Sequence, residues 1–174
     1  MCSNNYRVAV LTASDKGYAG QRADESGPAI RGMVQAAGYT VAAEALLPDE
    51  QKLLSAKMLE WCQSGTVDLI VTTGGTGLSP RDCMPEATLA IAQRQVPGIA
   101  EAMRAYSMQI TPRAMLSRAV AVVCEKTLVV NLPGSPKAVR EELGFVLPQL
   151  LHALDILTGH ASECAAQPGH GHHP

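Results

Sequence analysis

A glycine-rich segment, Thr73–Gly77, is followed by a basic and an acidic residue, Arg81 and Asp82. The β-branched apolar run Val67–Thr72 precedes it and predicts a buried strand, whereas Pro85 beyond it is typical of a helix's first turn. This order can present backbone N–H groups to a phosphate without a Cβ in the way. An aspartate beside such a loop can hold a divalent cation against the phosphate. We therefore predict nucleotide chemistry here.

The two common nucleotide-binding motifs are absent from the chain. It has no G-x-x-x-x-G-K-[ST] sequence and no G-x-G-x-x-G sequence after a strand, which excludes a Walker-type loop and the dinucleotide fingerprint. A plain strand-to-helix turn, whose glycines serve only backbone geometry, explains the loop equally well. The pattern alone leaves both interpretations open.

The composition is that of a compact α/β protein. The 174 residues are 47% hydrophobic and 17% charged, which argues against disorder, and we predict one domain over residues 1–160. A net charge of −2 and an aromatic content of 3% provide neither a basic patch nor a stacking platform. Nucleic acid is therefore not an expected partner.

The cysteines and apolar segments bear on the compartment. Five cysteines are scattered without a C-x-x-C pair, which argues against a disulfide framework and a structural zinc site. We find no signal peptide before the first predicted strand and no apolar run of membrane-spanning length. We expect a cytoplasmic protein without a membrane partner.

Apolar runs alternate with helical stripes, which predicts an α/β fold with a mostly parallel sheet. Tyr6–Ala13 and Tyr39–Leu47 predict the first two strands. Ala119–Cys124 and Thr127–Leu132, separated by two residues, predict a hairpin that would make one strand antiparallel to the rest. A leucine stripe predicts a long final helix, which Pro148 should kink or split.

Polar residues follow the first two predicted strands, where open α/β sheets bind their ligands. We expect Ser14 and Asp15 to lie in a polar loop and to be candidate site residues, and Lys16 to belong to an ordinary turn. The position of Asp49 favours an N-cap of the next helix. A functional carboxylate is compatible with that role, because a carboxylate has several lone pairs.

A second loop, Asn131–Lys137, also follows a predicted strand and opens a helix. Ser135 is placed to cap that helix, with Pro136 at its first position. A helix N-terminus with a serine and a lysine would also suit an anion, so both roles stay open. Beyond this helix, residues 161–174 contain three histidines and predict a flexible tail, although such a cluster can bind a transition metal.

Taken together, these loops resemble the molybdenum-cofactor proteins of the Mog type, which include the G domain of gephyrin and its plant counterpart. The glycine loop carries the most specific match, Thr73-Gly74-Gly75-Thr76-Gly77-x-x-x-Arg81-Asp82-x-x-Pro85-Glu86-Ala87-Thr88. Further matches extend from Arg7 to about Gly159: Ser14-Asp15, Asp24-x-Ser26-Gly27-Pro28, Pro48-Asp49-Glu50, Ile110-Thr111-Pro112-x-Ala114-Met115-Leu116-Ser117-Arg118 and Asn131-Leu132-Pro133-Gly134-Ser135-Pro136.

The resemblance implies a three-layer α/β sandwich, a homotrimer and molybdopterin adenylyltransferase activity. In that reaction MgATP donates AMP to the terminal phosphate of molybdopterin, giving adenylyl-molybdopterin and pyrophosphate. Two anions must meet, so the carboxylates matching Asp49 and Asp82 are compatible with the substrates only through a bound Mg²⁺. The molybdenum-inserting enzyme of the pathway is a further implied partner.

The resemblance also assigns roles to residues. Asp49 and Asp82 are the expected catalytic residues and Mg²⁺ ligands. The residues expected to bind molybdopterin or nucleotide are Ser14, Asp15, Thr73, Gly74, Gly75, Thr76, Gly77, Arg81, Asn131, Pro133, Gly134 and Ser135. The chain departs from the family at Cys83-Met84, where a small aliphatic residue and a threonine are usual, and the lost hydroxyl would remove a helix cap or a minor ligand contact.

Two other functions compete with adenylyl transfer. A non-catalytic relative would bind pterin or a partner protein, but such relatives tend to lack the acidic residue matching Asp49 and the Pro-Arg before the second aspartate, and this chain has both. A scaffold like gephyrin would act on cytoskeleton or receptors, but we find no linker or second domain for that role. These features favour the enzyme.

Overall fold

The computed structural model describes residues 5–159, which form a six-stranded sheet with helices on both faces. The strands are β1 (Arg7–Ala13), β2 (Thr40–Leu47), β3 (Leu69–Thr73), β4 (Arg94–Gln95), β5 (Ala121–Cys124) and β6 (Thr127–Leu132). The helices are α1 (Asp15–Tyr18), α2 (Ser26–Ala36), α3 (Gln51–Ser64), α4 (Met84–Leu89), α5 (Pro97–Met108) and α6 (Pro136–Thr158), with a 3₁₀ helix at Pro112–Leu116.

The sheet is mostly parallel and has the strand order β2-β1-β3-β6-β5-β4. Strands β2, β1, β3 and β6 pair in parallel, whereas β5 runs antiparallel to both of its neighbours. The predicted hairpin and the single reversed strand are therefore confirmed. The two-residue edge strand β4 was not predicted, because two residues carry no periodicity.

Alternate residues of the central strands face two separate apolar cores, which gives the sandwich its three layers. Val8 and Val10 of β1 pack towards α2, α5 and α6. Ala9 and Leu11 of the same strand pack towards α3 and α4 on the other face. The predicted α/β three-layer fold is confirmed.

The register of the central strands brings their carboxyl ends to one level. Thr12 of β1 lies opposite Thr73 of β3, and Thr73 lies opposite Leu132 of β6. The loops that follow these three strands therefore emerge together at one edge of the sheet, where α/β folds bind ligands.

One local prediction is wrong, and one of the two alternatives predicted for Pro148 is excluded. The expected polar loop at Ser14–Gly17 is the start of the short helix α1, and the Ser14 hydroxyl caps it by accepting from the Gly17 N–H at 3.0 Å. Pro148 does not split the last helix, because α6 continues from Pro136 to Thr158 around it. The packing of the leucine stripe into the core keeps α6 continuous across Pro148.

The structure bears only in part on the remaining expectations. Cys62, Cys83 and Cys124 are free thiols. None of the helices between residues 5 and 159 has the length and apolar character needed to cross a membrane. The histidine-containing tail, residues 161–174, lies outside the described residues, so its predicted flexibility stays a prediction.

A carboxyl group is buried between α5 and α6, away from the sheet edge. Glu142 is only 5% exposed and accepts a hydrogen bond from the Ser107 hydroxyl at 2.8 Å. Burial raises the pKa of Glu142, and the Glu141 charge adds to this, whereas the Ser107 hydrogen bond and the Arg104 charge oppose it. A carboxyl with a raised pKa favours folding below its unfolded-state pKa, and this contribution is lost as the pH rises through the folded-state pKa.

We therefore expect the substitution Glu142→Gln to stabilise the protein at pH 7.5 by about 1 kcal/mol, because the amide keeps an acceptor for Ser107 without a buried charge. The gain should shrink towards pH 4, where the wild-type carboxyl is protonated. Thermal melts at several pH values measure this. The exposed Glu101→Gln is the control, and an equal gain at all pH values would contradict the assignment.

Candidate functional site

The loop between β3 and α4 passes very close to the end of β1, and it can do so only because it contains glycine. Gly74 and Gly75 have φ angles of +89° and +66°, which L side chains rarely adopt. A Cβ on Gly74 would lie 2.2 Å from the Ala13 carbonyl oxygen at the end of β1. The Gly75 carbonyl accepts the Met84 N–H at 3.0 Å, which links the loop to the start of α4.

Two carboxylates lie beside the glycines of this loop, one from Asp49 after β2 and one from Asp82 within the loop itself. A Cβ on Gly75 would lie 3.1 Å from Oδ1 of Asp49, and a Cβ on Gly77 would lie 2.8 Å from Oδ2 of Asp82. Oδ2 of Asp82 also accepts the Ser79 N–H at 2.8 Å, which fixes its direction. The structure therefore brings together the two aspartates that the sequence singled out.

Asp49 is not the N-cap that its position favoured. Glu50 occupies the cap position of α3, and Oδ2 of Asp49 instead accepts the Asp15 N–H at 3.0 Å. The Asp49 N–H in turn donates to Oδ1 of Asp15 at 3.0 Å. This reciprocal pair joins the ends of β1 and β2, and it was invisible in the sequence because the two residues are far apart in the chain.

Arg81 completes this cluster by binding the Asp15 carboxylate with two nitrogens. Its Nε and Nη2 donate to Oδ2 and Oδ1, each at 2.9 Å. The Arg81 guanidinium lowers the pKa of Asp15, and the Asp49 N–H adds to this effect. Asp15 and Arg81, both predicted to bind substrate, therefore lie at the site and are paired with each other.

Asp49 has the opposite electrostatic situation. Burial raises its pKa, and the Asp15 and Asp82 charges raise it further, whereas the Asp15 N–H and Arg81 act against the rise. The carboxylate therefore lies in an environment that would favour a nearby cation.

A cavity of about 520 Å³ adjoins the acidic cluster across Gly74. It opens between the ends of β1, β3 and β6. Its polar and loop lining includes Thr12, Ser14, Asp24, Ser26, Thr73, Gly74, Gly134 and Ser135. Asp49 and Asp82 do not line it, so the site consists of a cavity and a neighbouring pair of carboxylates.

Two residues of the cavity wall were missed as site residues, although the Asp24-x-Ser26-Gly27-Pro28 motif was the available signal. Asp24 accepts hydrogen bonds from the Thr12 hydroxyl at 2.7 Å and from the Ser26 and Gly27 N–H groups at 3.0 Å. The Ser26 hydroxyl donates to the Gly134 carbonyl at 2.9 Å. Together, Asp24 and Ser26 connect the start of α2 to the second loop.

The second loop presents a serine that does not act as the expected cap. Ser135 occupies the N-cap position of α6, but its side chain makes no capping hydrogen bond. It is exposed and lines the cavity. The expected side-chain cap is therefore absent, and the hydroxyl is available to a ligand.

Other predicted binding residues are hydrogen-bonded within the fold, Thr73 at the cavity wall and Asn131 beneath it. The Thr73 hydroxyl donates to the Pro133 carbonyl at 2.6 Å. Asn131 is fully buried, and its amide nitrogen donates to the hydroxyls of Thr72 and Thr88, each at 2.9 Å. The structure thus places Asn131 inside the fold and away from the cavity wall. Thr76 is also buried, next to Gly77.

The departure at Cys83-Met84 lies at the start of α4. Cys83 holds the N-cap position of α4 without a side-chain hydrogen bond, and Met84 is fully buried in the core. Burial raises the pKa of the Cys83 thiol, and the Asp49 charge raises it further. A nucleophilic thiolate is disfavoured here.

Comparisons with known proteins agree with this architecture. The family described as a probable molybdopterin binding domain matches residues 9–152. The molybdopterin adenylyltransferase of Helicobacter pylori J99 is 38% identical over 159 residues, which cover 87% of this chain and 88% of that protein. Gephyrin of Dictyostelium discoideum is 40% identical over 160 residues, which cover 86% of this chain and only 22% of gephyrin.

A solved structure matches the fold as well. The molybdopterin biosynthesis enzyme MoaB from Thermus thermophilus superimposes with a TM-score of 0.84 at 49% sequence identity, covering 88% of this chain and 97% of that one. The family match spans far more than half of the residues, and a full-length relative agrees with it. The chain therefore belongs to the molybdopterin-binding family of molybdenum cofactor biosynthesis.

Proposed function

We propose that this protein is a molybdopterin adenylyltransferase, which transfers AMP from MgATP to the terminal phosphate of molybdopterin. The observation that carries the proposal is the convergence of Asp49 and Asp82 on one glycine loop beside a cavity. Relatives from Helicobacter pylori and Escherichia coli bear this activity in their names, and the two aspartates fit its chemistry.

The proposed reaction joins two phosphorylated molecules. An oxygen of the molybdopterin phosphate bonds to the α-phosphorus of ATP, and the bond from that phosphorus to the pyrophosphate oxygen breaks. The nucleophile is already an anion, so the reaction needs no activated serine or cysteine. The protein has to align the two phosphates and offset their mutual repulsion.

The residues present fit a Mg²⁺ ion that enters with ATP. Between residues 5 and 159, no group of three or more His, Cys, Asp or Glu side chains is arranged to hold a metal by itself. Asp49 and Asp82 supply two carboxylates, which suits an ion that completes its shell with phosphate oxygens and water. When bound, Mg²⁺ supplies charge neutralisation of the phosphates and the leaving group.

The chain's own groups have distinct proposed tasks. Asp49 and Asp82 hold the metal, and Ser79 keeps the Asp82 carboxylate in its orientation through its N–H. Backbone N–H groups of Gly74–Gly77 and the hydroxyl of Ser135 bind phosphate or nucleotide. Arg81 supplies positive charge when it leaves Asp15 for a substrate phosphate.

The assembly and compartment are also part of the proposal. The homotrimer is proposed from the family resemblance, and apolar side chains exposed on and beside the 3₁₀ helix support a contact between subunits: Met108, Ile110, Met115 and Leu116. Use of ATP and the free thiols at Cys62, Cys83 and Cys124 support the cytoplasm. The molybdenum-inserting enzyme, which consumes the adenylylated product, is the proposed partner.

Incubation of the purified protein with molybdopterin and MgATP tests the proposed activity. We expect one pyrophosphate to be released for each adenylyl-molybdopterin formed, measured by a coupled phosphate assay and by mass spectrometry. Omission of molybdopterin is the control. Binding of molybdopterin without any pyrophosphate release would instead identify a non-catalytic pterin-binding protein.

The substitutions Asp82→Ala and Asp82→Asn should each lower kcat by about 10²–10³-fold, the scale expected for loss of one electrostatic group. Asn keeps an acceptor for the Ser79 N–H, so its failure would isolate the role of the charge. Molybdopterin affinity, measured by fluorescence titration, should stay near the wild-type value. Glu60→Gln, an exposed carboxylate on α3, is the control, and wild-type turnover in either Asp82 variant would refute the assignment.

The substitution Ser135→Ala should weaken substrate binding by about 1 kcal/mol, the contribution of one hydrogen bond. It should leave the free energy of unfolding unchanged, because the hydroxyl makes no capping bond. Isothermal titration and chemical denaturation measure the two quantities.

Ser14→Ala is the matched comparison for Ser135→Ala. The Ser14 hydroxyl does cap a helix, so this variant should lose about 1 kcal/mol of stability. If Ser135→Ala instead destabilised the fold and bound substrate normally, Ser135 would have only a structural role.

A further inference from the structure

Arg118 fixes the glycine loop from outside the cavity. It lies between the 3₁₀ helix and β5. Its Nε donates to the Gly77 carbonyl and its Nη2 to the Asp82 carbonyl, both at 2.7 Å. Its own N–H donates to the Thr76 carbonyl at 2.9 Å. One residue therefore holds both the middle of the loop and the end that carries the Asp82 carboxylate.

Only an arginine can make this set of contacts. Its planar guanidinium presents fixed donors in several directions, whereas lysine offers one compact ammonium group. The remaining nitrogen, Nη1, pairs with Oε1 of Glu86 on α4. The side chain thus connects the loop, through its carbonyls, to the helix that follows the loop.

Glu86 is the carboxylate that pairs with Arg118, and in this position it is only partly hydrogen-bonded. Within the part of the chain that the structure describes, Oε2 of Glu86 is a buried oxygen without a hydrogen-bond partner. Desolvation raises the pKa of Glu86, but the hydrogen bonds from Arg118 and from the Glu86 N–H, together with the Arg118 charge, outweigh it and lower the pKa. The carboxylate is therefore held as a counter-ion that aims the guanidinium at the loop.

We propose that Arg118 is a positioning residue for adenylyl transfer: its fork to the Gly77 and Asp82 carbonyls fixes the backbone from which the Asp82 carboxylate projects, and the Ser79 N–H then holds that carboxylate. Arg118 acts through the loop without contacting the cavity, because it is not among the cavity's lining residues. The catalytic consequence rests on the proposed function, whereas the ordering of the loop does not.

Hydrogen–deuterium exchange tests the positioning directly. In Arg118→Ala and Arg118→Lys, we expect the amides of residues 76–82 to exchange about tenfold faster or more, because the carbonyl contacts that order the loop are lost. Thermal melts establish that both variants fold. Arg113→Ala, an exposed arginine on the 3₁₀ helix, is the control and should leave loop exchange unchanged. Wild-type exchange in both Arg118 variants would overturn the proposal.

Kinetics test the consequence for the reaction. We expect kcat to fall by up to about 10²-fold in both variants with the KM for molybdopterin unchanged, as for a misplaced catalytic group. Millimolar guanidinium should partly restore turnover in Arg118→Ala. Such a rescue would not occur if the variant had only a general folding defect. Full activity in Arg118→Lys would overturn the proposal. If the wild-type protein itself transferred no AMP, the proposed function would be wrong. The exchange rates of the loop amides would still test whether Arg118 positions the loop.

Discussion

A close approach of backbones, which only glycine permits, is the constraint on which the site depends. The Gly74 Cα passes so near the end of β1 that a side chain would meet the Ala13 carbonyl, and Gly134 packs against Gly74 from the other side. This contact brings the loops after β1, β3 and β6 into one unit. The carboxylates of Asp49 and Asp82 can then lie beside the same loop, where any Cβ on Gly75 or Gly77 would displace them.

The close approach of the carboxylates is electrostatically unfavourable, and the neighbouring residues offset it unequally. Asp15 is neutralised by the two-nitrogen contact from Arg81, but Asp49 receives only a backbone N–H and has its pKa raised by burial and by neighbouring charges. The imbalance favours a cation between the carboxylates. In the proposed function, the magnesium nucleotide is the group that would offset this repulsion between the carboxylates.

The framework below the cavity uses its polar side chains differently from the cavity wall. Asn131 and the hydroxyls of Thr72 and Thr88 are buried and hydrogen-bonded within the fold, which fixes the ends of β3 and β6. On the wall, Ser135 keeps its hydroxyl free of capping. Buried hydroxyls with satisfied hydrogen bonds give rigidity, whereas an exposed hydroxyl without a capping bond is free to meet a ligand, so residue type alone does not separate the two tasks.

The sequence by itself determined the fold class, the order of the long elements and the reversed strand, and it singled out the glycine loop, Asp49 and Asp82 as candidate site residues. These properties follow from local periodicity and from motifs that are contiguous in the chain. Tertiary structure alone decided that Asp49 binds Asp15 and does not cap α3, that Asn131 is internal, and that Arg118 orders the loop. Each of these depends on contacts between distant segments, because a side chain's partner is set by strand order and register, which no local pattern encodes.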